Sequence, residues 1–283
     1  MPQGTHQRLG LGRRELISLI AAALVVVAVA LPLALSGPGN KTVCRGRLGA
    51  IGQALGTYAA ENNGCFPVMA HASAAEPGKG LVSYAPGKIG RYRDAAPPAD
   101  ARELSTTANL YLLIRQKRAR PEEFICPSSD DRTSAVPSPE AKWDFSSYKE
   151  VSYGYQVPYG PAGKPRQQGD PRVAIVADKG PYGLALETGQ THPGAPSADY
   201  KGPNKSWRPW NNVNHKKSQN VIYLDAHAEE RKTPLAGANK DNIYTRWSDL
   251  AKVAAHDPTA WSQGAPPTGT ETPLGETDSL IYP

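Results

Sequence analysis

LISLIAAALVVVAVALPLAL, Leu16–Leu35, is an apolar run without a single charge, interrupted only by Ser18 and Pro32. Twenty residues at a helical rise of about 1.5 Å span roughly 30 Å, the thickness of a bilayer's hydrocarbon core. A run this apolar lacks the polar face of a soluble amphipathic helix, so it reads as a membrane span. The sequence after it is polar and rich in turn residues. The first-order expectation is one N-terminal membrane helix carrying one water-exposed region.

Composition narrows that region. Glycine and proline, 27 each in 283 residues, are well above ordinary usage, which predicts many turns and few long helices. Phenylalanine occurs 3 times and tyrosine 13 times. Tyrosine tolerates a half-wet site, so a thin core with many edges is expected. The net charge of +6 is mild. Its densest basic stretch, Arg115, Lys117, Arg118 and Arg120, runs straight into Glu122 and Glu123. That mixture suits a solvated surface and gives no reason to expect a nucleic-acid partner. Cys44, Cys65 and Cys126 form no CxxC pair, so no zinc motif is read from their spacing. In an exported domain two of them could join, and spacing does not choose which two.

The residues before the apolar run admit three readings: a cleaved signal ending near Ala34-Leu35-Ser36, a plain anchor, or a prepilin-type leader. Gly10 is followed by Leu11, Gly12, Arg13, Arg14 and Glu15, and the apolar run starts at once. This resembles the N-terminus of type IV prepilins and type II secretion pseudopilins. The resemblance implies cleavage between Gly10 and Leu11 by a prepilin peptidase. It also implies that Glu15 pairs with the new N-terminal amine of a neighbouring subunit, since a carboxylate at the edge of a membrane helix is costly without a cation. The plainer account of Glu15 is an acid at the positive end of a helix dipole. Arg13 and Arg14 depart from the apolar residues usual in that family. Basic residues flank the run on both sides, so an inside N-terminus and an exported C-terminal region rest on the resemblance.

After the breaker Ser36-Gly37-Pro38-Gly39, the apolar positions Val43, Cys44, Leu48, Ile51, Leu55 and Tyr58 predict a helix ending at Asn62-Asn63-Gly64. Gly46, Gly49, Gly52 and Gly56 are poor helix formers that permit close approach, either of the chain's own sheet or of another subunit. The segment Cys44–Pro67 is also similar to the stretch that follows the anchor in a large family of pilin-like proteins abundant in planctomycetes. There a cysteine, a leucine, Ile-Gly, a tyrosine, Asn-Gly and a proline recur. The Phe124-Ile125-Cys126-Pro127-Ser128 element, predicted as a short buried strand and turn, resembles the same family. The resemblance makes Cys44–Cys126 a candidate disulfide, with Cys65–Cys126 close behind.

Residues 68–103 lack any period and read as loop; Ala108–Ile114 is a short helix or strand. Val151–Tyr159 and Val173–Ala177 are predicted strands, the second ending at Asp178. Trp207 and Trp210 either plug a loop or form a sticky surface. Asn220–Ala228 is predicted as one strand, with Ile222, Leu224, Ala226 and Ala228 facing the core and Asp225 and His227 on the other face. His215, ten residues before Asp225, completes a likeness to the family's His-x9-Asp-Gly signature, with Ala226 standing for the glycine. Asp241–Thr245 resembles that family's closing segment. His215, Asp225 and His227 carry the atoms to bind a divalent metal. A structural role in the turns ranks first, a structural cation second and catalysis third, because no HExxH or GxSxG pattern accompanies them. Asp178 could add a carboxylate, though nothing in the sequence brings it there. Trp247, Leu250 and Val253 suggest a turn or two of helix, and the Pro/Gly/Thr-rich composition after His256 predicts a flexible tail.

The expected fold is α+β and pilin-like: a long N-terminal transmembrane helix, a helix packed on an antiparallel β-sheet, and long loops. Its parts are a cytoplasmic leader (1–15), the span (16–35), a linker and pilin-like helix (36–67), an exported β-rich domain (68–255) and a flexible tail (256–283). The function that the resemblance implies is that of a non-enzymatic, pseudopilin-like structural protein, anchored by a single pass in the inner membrane, whose exported domain faces the periplasm or cell surface and could belong to a pilus or type II secretion-like assembly. Its partners would be the membrane, prepilin peptidase, and copies of itself or other pseudopilins, with no cofactor beyond a structural divalent cation. Two alternatives stand beside it: a tethered module that binds glycans through the loops around Trp207 and Trp210, and a metal-dependent hydrolase at His215, Asp225 and His227.

Overall fold

The computed structural model describes residues 39–69, 89–90, 92–97, 104–135, 137–159, 165–183, 207, 209–257, 259–262, 264–267 and 271–282. Gly10, Leu11, Glu15 and the run Leu16–Leu35 lie outside them. Among the described residues no helix is long and apolar enough to cross a membrane.

The predicted helix is present as α1, Asn40–Glu61. Its buried stripe is Cys44, Leu48, Ile51, Gly52, Ala54, Leu55, Tyr58 and Ala59, the face that the apolar spacing defines. Gly64 stops it: with φ +76 it takes the left-handed conformation, and its N–H donates to the Ala59 carbonyl at 2.8 Å. Of the helix glycines, Gly52 is the one pressed against the sheet, while a side chain at Gly46 or Gly49 would meet open space.

The sheet has five antiparallel strands in the order β4-β3-β2-β1-β5. These are β1 Tyr153–Gln156, β2 Ala174–Asp178, β3 Gln219–Tyr223, β4 Ala228–Arg231 and β5 Ile281–Tyr282. Strands β1 to β3 are buried along their whole length. On the α1 side, Tyr153, Tyr155, Ile175, Val176, Ile222 and Leu224 join the helix stripe with Leu110, Leu113 and Ile114 of α2, Thr107–Arg115. A β-bulge between Ala174 and Val176 lets Ile175 and Val176 both serve that side. On the far side Ala177, Val221, Tyr223, Ile243, Tyr244 and Ile281 form a second layer. The two short helices α3, Leu250–Ala254, and α4, Thr259–Ser262, complete the named elements.

Four expectations are corrected. The core is not thin: both faces of the sheet are covered, and Tyr153, Tyr155, Tyr223 and Tyr244 are fully buried. Their burial is tolerated because the hydroxyls reach partners, Tyr155 donating to the Pro67 carbonyl, Tyr223 to Ala236 and Tyr244 to Asp178, each at 2.9 Å. Phe124–Ser128 is no strand: Pro121–Phe124 forms a 3-10 turn, Ile125 and Cys126 belong to no regular element, and a turn begins at Pro127. The single strand over Asn220–Ala228 is instead a hairpin, β3 turning into β4 through residues 224–227. Lastly, the described residues of 256–283 are not a loose tail. Leu280, Ile281 and Tyr282 are buried, and β5 pairs with β1 as the sheet's last strand.

Candidate metal-ligand cluster

Four side chains from four separate elements converge beside the N-terminal part of α1. Cys44 comes from the second turn of α1, Cys126 from the turn after the 3-10 helix, Asp178 from the end of β2, and His215 from the turn leading into β3. Their ligand atoms all lie within 4.8 Å of one another. Cys44 Sγ is 3.4 Å from Asp178 Oδ1, Cys126 Sγ 3.5 Å from His215 Nε2, and His215 Nε2 3.9 Å from Asp178 Oδ2.

The surroundings hold these groups in place. The Arg47 guanidinium donates to the Ile125 carbonyl at 2.6 Å, and Asn40 Nδ2 to the Pro127 carbonyl at 3.3 Å, tying the Cys126 segment to α1. The side-chain amides of Asn214 and Asn220 donate to Asp178 at 3.2 Å each, and the Asn220 backbone N–H does so at 2.7 Å. The Ser128 N–H donates to Cys126 Sγ at 3.4 Å. Asn220 Nδ2 lies 3.6 Å from Cys44 Sγ, and the Tyr153 hydroxyl 3.1 Å from it. Asn212 accepts the His215 N–H at 2.6 Å, fixing the turn that aims the imidazole inward.

Electrostatics divide the two thiols. The hydrogen bond from Cys44, reinforced by His215, draws Cys126 down to about 5 against the effect of burial. The contact with Cys126, then burial, then Asp178 push Cys44 up. Burial pushes Asp178 up to about 6 despite the nearby His215. Burial lowers His215, but Cys126 and Asp178 outweigh it and the net direction is up. The cluster is closed: the His215 side chain is 3% exposed, and Cys44, Cys126 and Asp178 are at 0%.

The three residues of the predicted metal set, His215, Asp225 and His227, do not come together. Asp225 and His227 sit in the β3–β4 turn, about half exposed, and contact each other. His215 lies at the other end of β3, a separation of roughly 17 Å at strand rise. Asp225 works as a turn residue, accepting the His227 N–H at 3.2 Å, while the His227 ring stacks on Tyr223 at 4.4 Å. Cys44 and Cys126 do come together, as the resemblance implies, but as free thiols, with Cys126 turned to His215. Cys65 lies past the opposite end of α1, which excludes it from the cluster. Trp207 and Trp210 pack on each other edge to face, centroids 6.1 Å apart and both half-buried. Asp178 is the member that sequence reasoning could not place, because antiparallel pairing of β2 with β3 is what brings it to His215. No family model matches the chain, and neither does any curated protein or solved structure in the comparisons made.

Proposed function

We propose that the protein is a membrane-anchored, pseudopilin-like structural protein. Leu16–Leu35 would span the inner membrane once, and the domain beginning at Asn40 would be exported to the periplasm or cell surface. The supporting observation is the order of parts. A charge-free run of membrane length precedes, by the four breaker residues Ser36–Gly39, a helix whose apolar stripe is buried on an antiparallel sheet. In this reading Gly10–Leu11 is the bond cut by prepilin peptidase, and Glu15 registers each subunit against a neighbour or another pseudopilin. No residue is assigned a catalytic role.

Mass spectrometry of the native chain tests the reading. A mature N-terminus at Leu11 in the membrane fraction is expected, and Glu15→Ala would leave export intact while abolishing incorporation into an assembly. A chain starting near Gly37 in the soluble fraction would overturn it.

A further inference from the structure

We infer that Cys44, Cys126, Asp178 and His215 form a structural zinc site that staples α1 to the sheet. The inference is independent of anchoring and of assembly, since all four ligands belong to the domain after residue 40. Zinc takes sulfur at about 2.3 Å and nitrogen or oxygen at about 2.0–2.2 Å, so tetrahedral ligands stand roughly 3.3–3.8 Å apart. Three of the six separations, 3.4, 3.5 and 3.9 Å, lie near those edges and none exceeds 4.8 Å, so closing on a metal asks shifts on the order of 1 Å from the ligands.

The donor set selects the metal. Two thiolates with one imidazole and one carboxylate favour zinc over the hard cations magnesium and calcium, which want oxygen. The charges fit as well. Two thiolates and a carboxylate against Zn²⁺ leave a single negative charge. The Ser128 N–H, the Tyr153 hydroxyl and the Asn214 and Asn220 amides lie around the ligand atoms to offset it. Such hydrogen bonds to the ligands orient them and tune the metal. Asp178 is fully buried, and among the described residues its one ion-pair neighbour is His215 at 3.9 Å. A buried carboxylate is expensive without a cation, and Zn²⁺ supplies one. Four protein ligands would fill the tetrahedron and leave no open coordination position for substrate, which is the mark of a structural site and not a catalytic one.

The test uses the full chain purified from whichever fraction holds it, with detergent if that is the membrane. Elemental analysis and native mass spectrometry are expected to find about one zinc per chain, held by a closed four-ligand site. A strong chelator should lower the thermal midpoint by roughly 10 °C or more, and added zinc should restore it. Cys126→Ser and His215→Ala should lose the bound zinc, and Cys65→Ser should keep it. Should those variants fail to fold, cobalt exchanged into the wild-type chain keeps the question open to measurement. Thiolate-to-cobalt charge-transfer bands and intense visible absorption are expected from a tetrahedral site with two sulfurs. An intact mass short by two hydrogens, with Cys44 and Cys126 peptides cross-linked, would overturn the proposal in favour of a disulfide. So would a folded, metal-free chain whose midpoint neither chelator nor zinc moves.

Discussion

Gly52 on α1 and Ile222 on β3 meet so closely that a Cβ built on the glycine would stand 3.0 Å from Ile222 Cδ1, with the Ala226 carbonyl oxygen 3.5 Å away. A large side chain there has no space, and overpacking a core costs about 1–3 kcal/mol. Gly52→Leu should therefore lower the urea midpoint clearly. Gly49→Ala, where a Cβ meets nothing within 4 Å, should raise stability by about 0.5–1 kcal/mol through helix propensity alone. Equal effects of the two substitutions would show that α1 does not rest on β3 as described.

Ala226 carries a φ of +66 in the hairpin turn. This is the position at which the resembled signature has glycine, and glycine accepts the left-handed conformation without the penalty of about 1–2 kcal/mol borne by a residue with a Cβ. Ala226→Gly should stabilise the domain by up to about 1 kcal/mol, part of the gain being offset by the freer unfolded chain. Equilibrium denaturation checks the sign.

Lys179 and Asp131 form a buried ion pair, 1% and 3% exposed, with Nζ 2.9 Å from Asp131 Oδ2 and 2.9 Å from the Tyr148 carbonyl. The Tyr148 ring also lies 3.7 Å from the ammonium. Removing one partner strands the other charge, so Lys179→Met should cost about 3–5 kcal/mol. Replacing Asp131 by Asn in the same chain should recover part of that loss. A double variant no better than the single one would mean that the ammonium matters through Tyr148, not through Asp131.

Asp241 and Asp278 set a dependence on pH. Burial pushes Asp278 up to about 7, and burial with the charge of Asp278 raises Asp241 well above 3.8. An unfolded carboxylate loses its proton near 3.8, so the folded state holds protons that the unfolded state has released. The contribution of these groups is complete below that value and is lost as pH rises towards about 7. Asp144, pushed up to about 6 by burial, acts in the same sense. Urea midpoints for wild type and Asp278→Asn between about pH 4 and pH 8 should show a shallower decline in the variant. Parallel curves would remove Asp278 from the account.

The sequence made α1 legible because its apolar positions repeat at helical spacing over about four turns and Asn62-Asn63-Gly64 marks the stop. VSYGYQVPY and VAIVA announced β1 and β2 for a similar reason, by alternation or by an unbroken apolar run. The hairpin was hidden because Ile222, Leu224, Ala226 and Ala228 keep a period of two straight through the turn. Strand β5 was hidden because two residues cannot display a period at all. The candidate cluster is half legible: Cys44, Cys126 and His215 each stand out in the sequence, but in unrelated motifs. What unites them with Asp178 is strand pairing between segments some forty residues apart, and no local pattern encodes that.

The pairing of β5 with β1 also bears on how the domain comes into being. Tyr282 is made long after Tyr155, its partner across the ladder. During synthesis from the N-terminus, β1 keeps an unpaired edge while β2, β3 and β4 emerge. Under the export proposed above, a chain threaded through a channel in that order would not close its sheet until the last described residues had cleared it. Long-range closure of this kind is slow compared with helix formation. In that reading the domain would arrive on the far side with the outer edge of β1 bare, and the docking of Ile281 and Tyr282 would be the step that covers it.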